Sequence, residues 1–229
     1  MKALITAAGL GSRMGKLTLN NNKCALEVNG EPIIIRLVNS LNAIGINDIY
    51  VVVGYKSDQI INLLKNRVKY LYNNNFKTTG ILDSIYKAEQ MLSGQEFVVL
   101  TGDSIMHPDI LKNIINGKGD VIVSIDKKKC DDEDVKAIIS KDRFIEISKN
   151  IKVSKATGEF TGLVRINSKV SKLFFETIKL NKPNNRLIAD IVMEIDCLGF
   201  HVIPMFTNGL PRIEIDFDFD LLAAKHIIK

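Results

Sequence analysis

Cysteine is scarce and scattered in this sequence. Cys24, Cys130 and Cys197 are odd in number and lack CxxC spacing, which excludes a disulfide framework and the ligand pattern of a zinc site. A reducing compartment is the simplest home for such a chain. No apolar run approaches the roughly 20 residues of a membrane helix. The apolar stretch 3–8 runs straight into glycines and is too short for a signal peptide. A cytoplasmic protein without membrane partners is the expectation. Internal repeats, low-complexity tracts and linkers are also missing, so nothing divides the chain.

What is present suits one large domain. The 229 residues are 46% hydrophobic, enough for a full core around one active site. Lysine and arginine exceed the acids by a net +5, which favours an anionic ligand without naming it. The longest basic run, 127–129, is followed at once by Asp131, Asp132, Glu133 and Asp134. It cannot form a continuous track along a nucleic-acid backbone, so no nucleic-acid partner is expected. A solvated loop is the plain reading of the run.

Apolar runs of strand length alternate with amphipathic stretches of helical length. That alternation is the mark of an α/β protein with a mostly parallel sheet covered on both faces. Strands are expected at 2–6, 49–53, 68–72 and 97–100, with helices from Pro32 to before Gly45, at 57–64 and at 79–92. From about residue 120 the strands shorten and alternate: 121–125, 135–140, 143–148 and 160–166. These predict an antiparallel extension of the sheet. Helices at 169–180 and 187–198, a strand at 201–204, and a strand at 212–216 leading into a closing helix complete the chain.

The first strand opens into Ala7-Ala8-Gly9-Leu10-Gly11-Ser12-Arg13-Met14. Backbone amides there can converge on phosphate oxygens, although a glycine turn after a strand is also an ordinary structural element. Two familiar loops are excluded. Met14 stands where the dinucleotide fingerprint needs its third glycine, and Leu10 and Leu17 break the Walker A pattern. Arg13 and Lys23 lie ten residues apart on one loop and could both reach a triphosphate over the glycines.

Three separated elements, 4–14, Lys23-Cys24-Ala25-Leu26 and Val28-Asn29-Gly30-Glu31-Pro32-Ile33, resemble the signature of the sugar-phosphate nucleotidyltransferase superfamily. The resemblance runs over essentially the whole chain. It implies a three-layer, Rossmann-like α/β fold of the GT-A-like kind, forming one domain over 1–229. A nucleotide-binding part would cover about 1–119, an acceptor-binding part about 120–211, and a closing metal strand and helix 212–229. One position departs from the pattern: Asn22 stands where the family usually has proline, which predicts a less rigid loop before Lys23.

By the same resemblance, Ala7, Ala8, Gly9, Gly11, Ser12 and Gly102 would cradle the nucleotide. Asp103, in Thr101-Gly102-Asp103-Ser104, and Asp216, in the closing strand, would bind Mg2+ or another divalent ion such as Mn2+. Taken alone, each aspartate reads more readily as a turn or cap residue than as a ligand, and their joint occurrence with the glycine loop reverses that. The segments 73–76, 78–80 and 83–86 are similar to the part of small cytidylyltransferases that embraces the base. They point to Thr79, Gly80 and Ser84 and to CTP as the donor, ahead of other triphosphates. Ser84 is otherwise an ordinary helix residue.

That subgroup acts on phosphocholine, aminoalkylphosphonates, inositol phosphate and similar small phosphorylated acceptors. Gly158-Glu159-Phe160-Thr161-Gly162 looks like its glycine-glutamate strand, and Asp190 lies in a helix resembling its acceptor side. Lys149 and Lys152, by their place after a strand, are the candidates for the acceptor phosphate, with plain solvation as the alternative. The sequence has no tryptophan, so a cation-π box would need tyrosine or phenylalanine.

The implied reaction is in-line attack of an acceptor oxygen on the α-phosphorus with loss of pyrophosphate, Lys23 and Arg13 stabilising charge. A nucleoside-diphosphate-sugar pyrophosphorylase and a non-catalytic nucleotide sensor are the rival readings. The oligomeric state stays open, a homodimer included.

Overall fold

The computed structural model describes residues 1–181 and 186–227. In chain order the elements are β1 (Lys2–Ala7), β2 (Glu27–Val28), β3 (Glu31–Pro32), α1 (Ile33–Ala43), β4 (Ile49–Val53), α2 (Ser57–Leu64) and β5 (Lys69–Tyr72). Then come α3 (Ile81–Tyr86), α4 (Glu89–Leu92), β6 (Phe97–Thr101), β7 (Ser104–Met106), α5 (Pro108–Asn116), β8 (Val121–Asp126), β9 (Lys136–Ser140) and β10 (Arg143–Ser148). The chain finishes with β11 (Gly158–Ile166), α6 (Ser168–Leu180), α7 (Ile188–Cys197), β12 (Val202–Phe206), β13 (Arg212–Glu214) and α8 (Asp218–Ile227).

Strands β6, β1, β4 and β5 lie side by side and parallel. β11 turns the sheet antiparallel, pairing with β6, β8 and β9, while β12 runs parallel to β8. The result is a mixed sheet with parallel core strands and helices on both faces. Both faces are dry, as the unbroken apolar run of β4 requires. Along it Tyr50 and Val52 join one cluster, and Ile49, Val51 and Val53 the other. Phe97, Phe174 and Phe175 pack with ring centroids 5.5–6.0 Å apart and fasten α6 to the sheet.

Two local readings need correction. The helix expected at 79–92 is two short helices, because the chain tightens to three-residue hydrogen bonds at Lys87 and Ala88 (3.2 and 3.0 Å) before it restarts. Its apolar face is nevertheless buried, Leu82, Ile85, Ala88 and Leu92 being at most 2% exposed. The last strand ends at Glu214 instead of residue 216 and leaves the main sheet, pairing antiparallel with β7. That small sheet, together with a third cluster of Met14, Val28, Ile33, Ile105, Ile215 and Ala224, draws the C-terminal segment against the loop that follows β1.

Candidate active site

The site forms where the parallel strands end. The last pair that β1 and β6 form is Thr6 with Thr101, and the Gly102 amide donates to the Thr6 carbonyl at 2.9 Å. Only glycine fits there: a Cβ on Gly102 would lie 2.8 Å from that oxygen and 2.9 Å from the Cys24 sulfur. The crossing delivers Asp103 directly beneath the loop after β1. The β7–β13 pairing then brings in the distant strand, with Glu214 opposite Ser104 and the Ile215 amide donating to the Asp103 carbonyl at 3.0 Å. Carboxylate oxygens of Asp103, Glu214 and Asp216 consequently come within 4.8 Å of one another.

Two cations answer these acids. Lys23 Nζ lies 2.5 Å from Asp103 and 2.9 Å from Asp216, and an Arg13 guanidinium nitrogen is 2.9 Å from Asp216. Burial alone would lower the Lys23 pKa, but Asp103 and Asp216 outweigh it and hold the ammonium charged far above neutrality. Glu214 moves the other way. Its burial, then the charges of Asp103 and Asp216, push its carboxyl well above the usual carboxylate range, with Arg212 and Lys23 opposing. Asp103 Oδ1 is buried without a hydrogen-bond partner. An orphaned oxygen among three hard carboxylates fits a divalent cation of the magnesium type.

The glycine loop stays open. A Cβ on Gly9 would meet nothing within 4 Å, and Ala7, Gly9, Gly11, Ser12, Arg13, Lys23, Asp103 and Asp216 line a recess of about 200 Å3. Beside it lies a cleft of about 680 Å3, lined by Ala8, Gly9, Arg13, Asp103 and Asp216 and, further along, by Asn73, Thr79, Gly80 and Ser84. Buried Asn73 organises that second region by donating to Thr79 and Ser84 hydroxyls, both at 3.0 Å.

The loop before Lys23 is not loosened by Asn22, contrary to expectation. Asn22 is 1% exposed; its side chain donates to the carbonyls of Ala7 (3.0 Å) and Tyr55 (2.7 Å) and accepts from the Cys24 amide at 2.9 Å. Its φ of −69° is also the value that a proline would impose. Asn22→Leu would remove the amide donor from the buried Ala7 carbonyl and the half-buried Tyr55 carbonyl, so urea unfolding is expected to show a loss of about 1–3 kcal/mol. Unchanged stability would contradict this role.

The acceptor candidates separate. Lys149 and Glu159 line the cleft, whereas Lys152 and Asp190 do not. Lys152 precedes a short 3-10 turn, and Asp190 caps its own helix by accepting the Leu187 amide at 2.6 Å. Glu159 is already engaged, 2.5 Å from Arg212 and 3.1 Å from Lys128. Gly102 shapes the strand end without lining either cavity. The basic run and the acids after it are largely exposed, as expected, and Lys128, Asp131, Glu133 and Asp134 also line the cleft.

Glu214 and Arg212 went unassigned in the sequence, although period-two alternation places Glu214 on the same strand face as Asp216. Asn73 sat inside a recognised segment but read as a turn. Among the described residues no helix is long and apolar enough to cross a membrane.

Comparison with known proteins places the chain among nucleotidyltransferases. The profile of the MobA-like NTP transferase domain matches residues 3–155. The bifunctional protein GlmU of Methanococcus aeolicus is 28% identical over 240 aligned positions, covering 100% of this chain and 55% of that protein. The CTP:phosphoglutamine cytidylyltransferase of Campylobacter jejuni is 30% identical over 137 residues, 57% of this chain and 54% of that protein. The matches thus span about half the length of these curated relatives. Homologues also include choline-phosphate and 2-aminoethylphosphonate cytidylyltransferases. Among solved structures, a Bacillus anthracis protein provisionally assigned as a glucose-1-phosphate thymidylyltransferase superposes with a TM-score of 0.87 at 24% identity, covering 99% of this chain and 94% of that one.

Proposed function

The chain belongs to the family of MobA-like NTP transferase domains, and from that premise we propose that it transfers the cytidylyl group of CTP to a small phosphorylated or phosphonate acceptor, releasing pyrophosphate. The observation that carries this reading is a cleft lined by the carboxylate triad and Arg13, with Lys23 in the adjoining recess beside an open glycine loop. Names of relatives support CTP: cytidylyltransferases recur among them.

In this mechanism an oxygen of the acceptor attacks the α-phosphorus, a new P–O bond forms, and the bond to the β-phosphate oxygen breaks with pyrophosphate as leaving group. No covalent enzyme intermediate is needed. Asp103, Glu214 and Asp216 would hold a magnesium ion, whose positive charge screens the phosphate oxygens. Lys23 turns its ammonium from the aspartates toward the α-phosphate, where negative charge builds. Arg13 and the amides of Gly9, Gly11 and Ser12 hold the departing pyrophosphate. Ser84, Thr79 and Asn73 offer the hydroxyl and amide groups that face the base. Residues of about 1–119 would thus serve the nucleotide, about 120–211 the acceptor, and 212 onward the metal. Lys149 is the cleft-lining candidate for the acceptor phosphate.

The test is a matrix of four nucleoside triphosphates against phosphocholine, phosphoethanolamine, aminoethylphosphonate, inositol phosphate, phospho-amino acids and sugar 1-phosphates, read by pyrophosphate release. Turnover confined to CTP with a small non-sugar acceptor is the expected result. Preference for UTP or dTTP with a sugar 1-phosphate, or no release with any pair, would overturn it.

A further inference from the structure

Of the three acids that gather for the metal, Glu214 lies in β13 and Asp103 in the tight turn between β6 and β7, so paired strands carry or flank both. Asp216 has no such support. Residues 215–217 form an irregular link between β13 and α8 and belong to neither element. Magnesium demands near-ideal octahedral geometry, so a ligand on such a link has to be fixed by other means.

Two anchors fix it. On one side the Ile215 amide donates to the Asp103 carbonyl at 3.0 Å, and the Ile215 side chain is buried in the third cluster. On the other side a single carboxylate oxygen, Asp220 Oδ2, accepts from the amides of Asp216 at 2.9 Å and Phe217 at 2.8 Å. Asp220 is the third residue of α8, and Phe217, which stands just before the helix, has no side-chain acceptor to cap it. An acid at the third position that reaches back to the amide preceding the helix is half of a capping box. The second bond, to the amide of Asp216 itself, lies one residue outside that motif.

The same oxygen therefore holds the backbone of a metal ligand. It also sets the Phe217 ring, 5.8 Å from the centre of the Arg13 guanidinium, which contacts the Asp216 carboxylate at 2.9 Å. Asp220 lines the cleft but does not join the metal group: among the described residues the acids that converge are Asp103, Glu214 and Asp216.

Resting on the reading of that triad as a divalent-cation site, we infer that Asp220 is a positioning residue, which presets the Asp216 carboxylate through the amides of 216 and 217 before the metal arrives. It supplies no ligand atom. Its work is done on the main chain.

Manganese binding to the nucleotide-free protein, read from the electron paramagnetic resonance of free Mn2+, measures this without turnover. Asp220→Ala should weaken binding by about tenfold or more, the usual effect of removing a group that orients a ligand. Asp220→Asn should restore most of that loss, because an amide oxygen can accept the same two bonds. Both variants lack the same charge, so the difference between them isolates the hydrogen bonds. A residue that only capped α8 would lower the melting temperature of Asp220→Ala and leave the manganese Kd unchanged. Amide hydrogen exchange in metal-free wild type covers the case in which Asp220→Ala fails to fold: the amides of 216 and 217 should be protected already, with little further change on adding magnesium. Wild-type manganese affinity in folded Asp220→Ala, or equal losses in the alanine and asparagine variants, overturns the inference. So do amides of 216 and 217 that exchange freely until magnesium is added. These outcomes spare the metal site, whereas wild type that binds no manganese with or without CTP removes the metal reading and this inference together.

Discussion

Lys23→Met is expected to lower pyrophosphate release by about a hundredfold to a thousandfold, the usual loss when one preorganised charge facing a developing anion is removed. The side chain is 11% exposed, and its nitrogen touches two carboxylates from segments far apart in sequence. Methionine keeps the length and apolar stem but carries no charge. Asp103 and Asp216 would then face each other without their shared cation, which lowers stability in the absence of metal. The account therefore predicts a second effect of opposite sign. Magnesium should raise the melting temperature of Lys23→Met more than that of wild type, since a divalent ion no longer competes with the ammonium. Steady-state pyrophosphate assays and thermal melts with and without magnesium check both. Near wild-type turnover by the folded variant would remove Lys23 from the mechanism.

Asp103→Asn is expected to reduce the rate by a similar factor of about a hundred to a thousand and to abolish the response to added magnesium. Asparagine fills the same volume, so Gly102 and the strand end need not shift. What changes is the charge at Oδ2, 2.5 Å from Lys23, and at Oδ1, which is buried with no partner. An amide nitrogen in either place cannot ligate a hard cation. Activity titrated against magnesium is the readout: wild type should rise to a plateau and fall to background with a chelator, and the variant should stay flat. A variant that saturates with magnesium as wild type does would show that Asp103 is no ligand.

These effects rest on residues whose meaning was unequally visible in the sequence. The Gly9-Gly11 loop, Arg13 and Lys23 stand close together in the chain, and Asp103 follows an obvious apolar strand, so local reading reached them. Asp216 was placed only by resemblance, because nothing local says that β13 leaves the main sheet to pair with β7. Glu214 escaped although two-residue alternation put it beside Asp216. The charged loop was partly legible. Seven charges in eight residues read as solvent-exposed chain, and six of the seven are exposed, but only the three-dimensional path shows that the buried Lys136 ammonium holds three of the loop's carbonyls and that Asp131, Glu133 and Asp134 border the cleft. Asp190 and Lys152 lie outside the cleft lining, one capping its helix and one before a turn, positions that sequence spacing alone does not reveal. Asn22 shows that a missing proline need not mean a looser loop, since three side-chain hydrogen bonds fix the same backbone angle.

The account stands on a divalent ion gathered by acids from both halves of the chain beside the glycine loop. Anomalous diffraction from crystals grown with CTP and manganese addresses it directly. A single strong peak in contact with Asp103, Glu214 and Asp216, with the Lys23 ammonium turned toward the nucleotide, is the predicted result. A peak elsewhere, or CTP bound with Lys23 still seated between the two aspartates and no metal beside them, would contradict it.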